Sequence, residues 1–335
     1  MAIEKVLFGT YTKRVSKGLY VADFDASQGV LENAHLLTNI GNPTYTIKGN
    51  DSTIYSVDKH EDDGGVAVIN LATGVIQQEV LANGASPAYL GFDAQRQLLF
   101  SGNYHKGTVD VFSVGSDGQL TLKDSFKNEG SGPRDEQKSS HVHFTNLTPD
   151  QRLAVVDLGA DEVLIFDVDV EGKLHLFSKF QTEKGFGPRH IRFSPDGKQA
   201  YLLGELSSQL SILDYADGQL SLKATLKTIP SDWHDHNGSA ALRVSQDGRF
   251  VYASNRGHNS VAVFSVAEQP ERIQVISTAG DFPRDMALSA NDDYLIVANQ
   301  NTDNVSVYRR DPETGQLELT QKDFKIPEGV RVEFI

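Results

Sequence analysis

The 335-residue chain contains no cysteine. That excludes disulfides, thiolate metal sites and a cysteine nucleophile, and it suits a reducing compartment. The chain is also short of positive charge: 31 Lys and Arg stand against 45 Asp and Glu, a formal net charge of −14. A general nucleic-acid or anionic-membrane binder needs a basic face and does not fit, whereas a small anion needs only a local basic pocket. No apolar run approaches the ~20 residues of a membrane-spanning helix. The opening residues, MAIEKVLFGTYT, show no basic start followed by a long apolar stretch, so no secretory signal is expected. Long helical periodicity is missing too. The expectation is a soluble, cytoplasmic protein, with 39% hydrophobic residues available for a core.

What is present is a repeat. Similar units begin at Pro43, Pro87, Ser139, Pro188, Ser239 and Pro283, spaced by 44, 52, 49, 51 and 44 residues. Each has a short strand, a polar turn such as SPDG or SQDG, and a β-branched and aromatic strand. A third strand of the SVAVF type and a D-G-Q-L-like hairpin into a fourth follow. Four antiparallel strands at this period predict propeller blades. The tail PEGVRVEFI, from Pro327, reads as a first strand with nothing after it. The N-terminal VLFGTYTKRVSKGLYVADFDASQGVL reads as later strands without a first. Joined, they complete a seventh blade and remove open sheet edges. The chain is therefore expected to be all-β, a single seven-bladed β-propeller domain over residues 1–335, rather than a β-sandwich.

In such a ring the first strand of each blade lines the axis, and its entry and the turn after the second strand gather at one mouth. Stacking the repeats gives an entry column of Tyr45, Tyr89, His141, His190, Ala241, Asp285 and Gly329, preceded in three units by Arg189, Arg284 and Glu328. In the turn column, Asp58, Asn103, Asp157, Asn255 and Asn299 suit local backbone hydrogen bonds. The position after it reads Lys59, Tyr104, Leu158, Glu205, Arg256 and Gln300, and there Glu205 and Arg256 stand out as long charged side chains. His141, Arg189, Glu205 and Arg256 thus converge on one mouth, the clustering of titratable groups expected of an active site.

GTYT, GPRHIRFSPDG, the GELSS turn, DGRFVYASNRGHNSVAVF and FPRDMALSANDDYLIVANQNTDNVSVY together resemble the seven-bladed propeller lactonase family. That family includes a bacterial type of 6-phosphogluconolactonase and the fungal 3-carboxy-cis,cis-muconate lactonising enzyme. The resemblance covers essentially the whole chain and implies lactone hydrolysis, with His141, Arg189, Glu205 and Arg256 falling on the residues proposed to act in the muconate enzyme. Many relatives carry an acidic residue where this chain has Ala241, so any help from that carboxylate is lost or replaced here. Arg suits a phosphate or carboxylate through its bidentate fork. Arg189 and Arg256 are therefore assigned to substrate binding, with Arg284 as helper and His190 binding substrate or orienting Arg189. The general base is Glu205 or His141. The expected partner is a small anionic lactone, with no cofactor and no metal, no nucleic acid and no membrane; the oligomeric state is open.

Two loops remain. SDWHDHNGS, residues 231–239, carries the only Trp and reads as a surface loop, a lid or a metal loop. NEGSGPRDEQKSSH, residues 128–141, reads as a mobile flap or disordered segment whose Arg134 and Lys138 could reach the mouth. Two other functions compete with a 6-phosphogluconolactonase-like hydrolase: a cycloisomerase or other lactonase using the same residues, and a non-catalytic binding propeller.

Overall fold

The repeats fold around a common turn. Ser194 Oγ donates to the Asp196 carboxylate at 2.6 Å, and Gly197 N–H returns to the Ser194 carbonyl at 2.9 Å. Gly197 has φ +71°, and a Cβ there would lie 2.9 Å from Pro149 of the preceding unit, so glycine meets both the backbone and the packing demand. Ser245, Asp247 and Gly248 repeat the arrangement, with Pro195 pressed against Gly248. Each turn thus sets its hairpin and touches its neighbour.

The computed structural model describes residues 3–50 and 52–335. Among these, seven four-stranded antiparallel sheets form a seven-bladed propeller. The inner strands of blades one to six are Thr46–Lys48, Tyr89–Asp93, Val142–Leu147, Pro188–Phe193, Gly238–Val244 and Pro283–Leu288. In blade seven the C-terminal strand Gly329–Phe334 is innermost and pairs antiparallel with Ile3–Thr10, placing Phe8 opposite Val332. The ring is closed by its two ends.

The core lies in wedges between blades. Leu98, Phe100 and Val109 meet Val142, Val155 and Leu164 between blades two and three. Val6, Phe8 and Phe24 meet Ile296, Val305 and Val307 between blades seven and six. Because these wedges bury most of the large apolar side chains, several positions at the axis are free to be polar.

The inner strands share an irregularity that places the site. Their pairing shifts between Val142 and Phe144, between Pro188 and His190, and between Pro283 and Asp285. The skipped residues are His143, Arg189 and Arg284. A bulge of this kind re-aims a side chain, so two consecutive residues, such as Arg189 and His190, both reach the axial cavity. It also corrects the stacked columns. Phe144, not His141, matches His190 in register, and His143 matches Arg189. In blade seven, Arg331 opposite Gly9 takes the place assigned to Gly329.

Candidate active site

At one end of the axis lies a cavity of about 880 Å³ to which every blade contributes. Glu205, in the turn after the second strand of blade four, lines its wall. The Glu205 carboxylate takes Arg189 Nε at 2.8 Å on one oxygen and Arg256 Nη2 at 2.7 Å on the other. The arginines are almost fully buried, while Glu205 keeps 19% of its side chain exposed. Burial would raise the Glu205 carboxyl, but Arg256 and Arg189 outweigh it and hold the group down at about 2.

Both guanidiniums are fixed by backbone carbonyls. Arg189 Nη1 donates to Ala240, and Arg256 Nε donates to Gly238 at 3.0 Å. A Cβ at Gly238 would come within 3.0 Å of Arg256 Nη2, so the glycine permits this approach. Arg189 Nη1 also donates to His190 Nε2 at 3.1 Å. That bond puts the His190 proton on Nδ1, which is buried without an acceptor. Burial, followed by Arg189, pushes His190 well below its usual pKa. Arg189 Nε pairs with Glu205 by charge and not by a well-aligned hydrogen bond, and among the described residues nothing accepts from Arg189 Nη2 or Arg256 Nη1, so each arginine keeps an amino group for a ligand.

His143 reaches the cavity wall from the blade-three bulge. Its ring packs edge-on against His190, with centroids 5.4 Å apart, and makes no hydrogen bond to a described residue. Burial, then Arg189, pushes it well below 6.5, so the imidazole is neutral at pH 7. Tyr104 stands beside it, with a phenol that burial raises to about 12.

The six residues named from sequence are placed as follows. Arg189, His190, Glu205, Arg256 and Arg284 all line the cavity. His141 does not. It precedes the inner strand, its N–H donates to Asp157 at 2.7 Å, and its ring stacks flat on Tyr104, 4.2 Å away. Sequence reasoning missed His143 and Lys13 as wall residues, and it placed Tyr104 and Lys59 in the turn column at the mouth without giving them a role. Counting back from the TPD turn at Thr148, as from the SPD turn at Ser194, would have put His143 in the place of Arg189.

The segment 128–141 is built rather than free. It contains a single helical turn, Asp135–Gln137, whose buried Gln137 donates to the Leu158 carbonyl and to Asp161. Arg134 donates to the Gly185 carbonyl at 2.8 Å, exposed Lys138 faces Asp135, and neither lines the cavity. In the 231–239 loop, Trp233 packs edge-on against His258.

Comparison with known proteins agrees with this fold. The family described as "Lactonase, 7-bladed beta-propeller" matches residues 5–334. A crystal structure of a Lactobacillus plantarum protein is 48% identical, covers both chains completely and superposes with a TM-score of 0.98. The 6-phosphogluconolactonase of Bacillus subtilis is 36% identical over 98% of this chain and 97% of its own. The periplasmic gluconolactonase of Pseudomonas aeruginosa is 29% identical over 100% of this chain and 99% of its own, with a TM-score of 0.91.

Proposed function

Because the chain belongs to the seven-bladed β-propeller lactonase family, we propose that it hydrolyses 6-phosphogluconolactone, the substrate implied by the name of the Bacillus subtilis relative. The observation that carries this reading is the Arg189–Glu205–Arg256 cluster in the cavity wall beside a neutral His143.

A sugar lactone is a cyclic ester. Water attacks the carbonyl carbon, the carbonyl oxygen becomes an oxyanion, and the ring C–O bond then breaks. Arg189 Nη2 and Arg256 Nη1 are the donors for that oxyanion; fixed donors aimed at developing charge are among the largest contributions to such catalysis. His143 accepts the proton lost by water and returns it to the departing ring oxygen, which leaves as a hydroxyl. Glu205, held at about 2 by its arginines, is too weak a base for this step. It acts as a positioning residue that keeps both guanidiniums in place. His141 supports the wall by packing on Tyr104.

The test is lactone hydrolysis with the spontaneous rate subtracted. His143→Gln lowers kcat roughly 10²- to 10⁴-fold, the range for a general base. Glu205→Gln lowers it roughly 10²- to 10³-fold through the misplaced donors. The wild-type kcat falls on the acid side only below pH 6.5, since protonation of a histidine with a depressed pKa is what ends activity. Full rate in both variants overturns the assignment.

A further inference from the structure

The cationic groups of the cavity divide into two sets. Arg189 and Arg256 share Glu205, on the side of blades four and five. Lys13, Lys59 and Arg284 line the other side, from blades seven, one and six, and none makes an ion pair among the described residues. Two of them crowd one aromatic ring: Lys13 Nζ lies 4.3 Å and Arg284 Cζ 5.3 Å from the centroid of Tyr11. The three carboxylates on the wall do not answer this charge. Glu205 is held by two arginines, Asp285 by Arg243 and Arg331 beneath the cavity, and Asp62 sits exposed at the rim.

The backbone around Lys13 is also prepared. Glu328 accepts the N–H groups of Lys13, Arg14, Val15 and Ser16 at 2.9 to 3.1 Å. Four converging donors on one buried carboxylate fix the 13–16 loop. Asn42 ties this loop to blade one, accepting from Thr12 N–H at 3.0 Å. Lys59 stands at the next turn, its Nζ 3.3 Å from the Gly84 carbonyl. An acidic protein has thus built three unpaired cations on a fixed frame, on one wall of the cavity that holds the reacting groups.

We infer that Lys13, Lys59 and Arg284 form a subsite for a phosphate monoester carried on the non-reacting end of the substrate. A dianion there has three donors of opposite charge, and its lactone ring extends toward Arg189, Arg256 and His143. The inference rests on the lactone-hydrolase reading and goes beyond it: it makes this wall the determinant of phosphorylated over unphosphorylated lactones. It also gives Glu328 the role of a positioning residue acting through the Lys13 loop.

The experiment compares kcat/KM for 6-phosphogluconolactone and for gluconolactone in wild type, in Lys13→Ala and in the Lys13→Ala/Arg284→Ala double variant. Lys13 is exposed, so its variant folds. The preference for the phosphorylated substrate falls roughly 10- to 100-fold in the double variant, mainly through KM, as expected for lost charged hydrogen bonds. An unchanged preference overturns the subsite. Inorganic phosphate binding, measured by calorimetry, separates the two readings. If wild type hydrolyses neither lactone, the lactonase reading fails. The subsite still stands if phosphate binds wild type at least ten-fold tighter than the double variant, and falls if the affinities are equal.

Discussion

Two carboxylates near the axis are each held between two guanidiniums, with different results. Asp285 takes Arg243 Nη2 at 2.8 Å and Arg331 Nη1 at 3.0 Å, and also the Val332 N–H at 3.1 Å. Arg331 continues to the Thr46 carbonyl and to Glu333, and Glu333 accepts from Thr46 Oγ1 and Lys48 N–H. One network joins blades five, six, seven and one across the point where the ring closes. In the Glu205 cluster, by contrast, a donor on each arginine is left without a partner, and the carboxylate opens on the cavity. The chemistry is the same, and the setting differs: one network is spread across four blades, and the other faces the cavity. A buried ion pair is retained at low cost when every donor is matched. Where matching stops at a cavity wall, donors remain available to the substrate of the proposed reaction.

The largest test of this contrast is Asp285→Ala against Glu205→Ala. Removing Asp285 strands two buried arginines and a strand N–H, and costs about 3–5 kcal/mol in denaturant or thermal unfolding. The Glu205 variant costs less than half of that, because Glu205 is 19% exposed on the cavity against 6% for Asp285, and its removal lets cavity water in to the two guanidiniums. Equal losses would erase the distinction between lock and site.

Acid unfolding sharpens it further. Both carboxyls are lowered in the folded protein. Folded values below unfolded ones mean that the stability they contribute is full above the unfolded pKa and is lost as pH falls through the folded one. For Glu205 that window runs from 4.5 down to about 2. The stability difference between wild type and Glu205→Gln therefore shrinks across it, as pH-dependent denaturation curves will show; a difference independent of pH contradicts the pairing. The smallest expected effect is Gly238→Ala. The added methyl displaces Arg256 by a few tenths of an ångström, lowering kcat about ten-fold with little change in unfolding temperature. An unaffected kcat would mean that the guanidinium position is not critical.

The ring and the cluster were largely legible in the chain. SPDG-type turns and alternating strands give blades wherever they recur, and the unmatched ends PEGVRVEFI and VLFGTYT have to find each other. Glu205 and Arg256 were visible as long charged side chains in the turn position that follows the column of Asp and Asn. His143 was not, because a β-bulge adds a residue without altering composition or alternation. The Ser139-Ser140-His141 approach looked like a strand start, yet Asp157 holds it as a loop by accepting the His141 N–H. Lys13 was hidden, and Lys59 was placed at the mouth without a role, for a different reason: a lysine in a polar turn looks like any solvated lysine until its neighbours are known.

Sequence alone determined which residues are strand, where the turns fall, how many blades there are, and which charged side chains interrupt the repeat, since those depend on local propensity and period. Tertiary structure decided which of those charges meet and which stay unpaired. Ring closure brings residues 13, 59 and 284 onto one wall and Arg331 onto Asp285, contacts set by distances through space between chain segments that share no local signal.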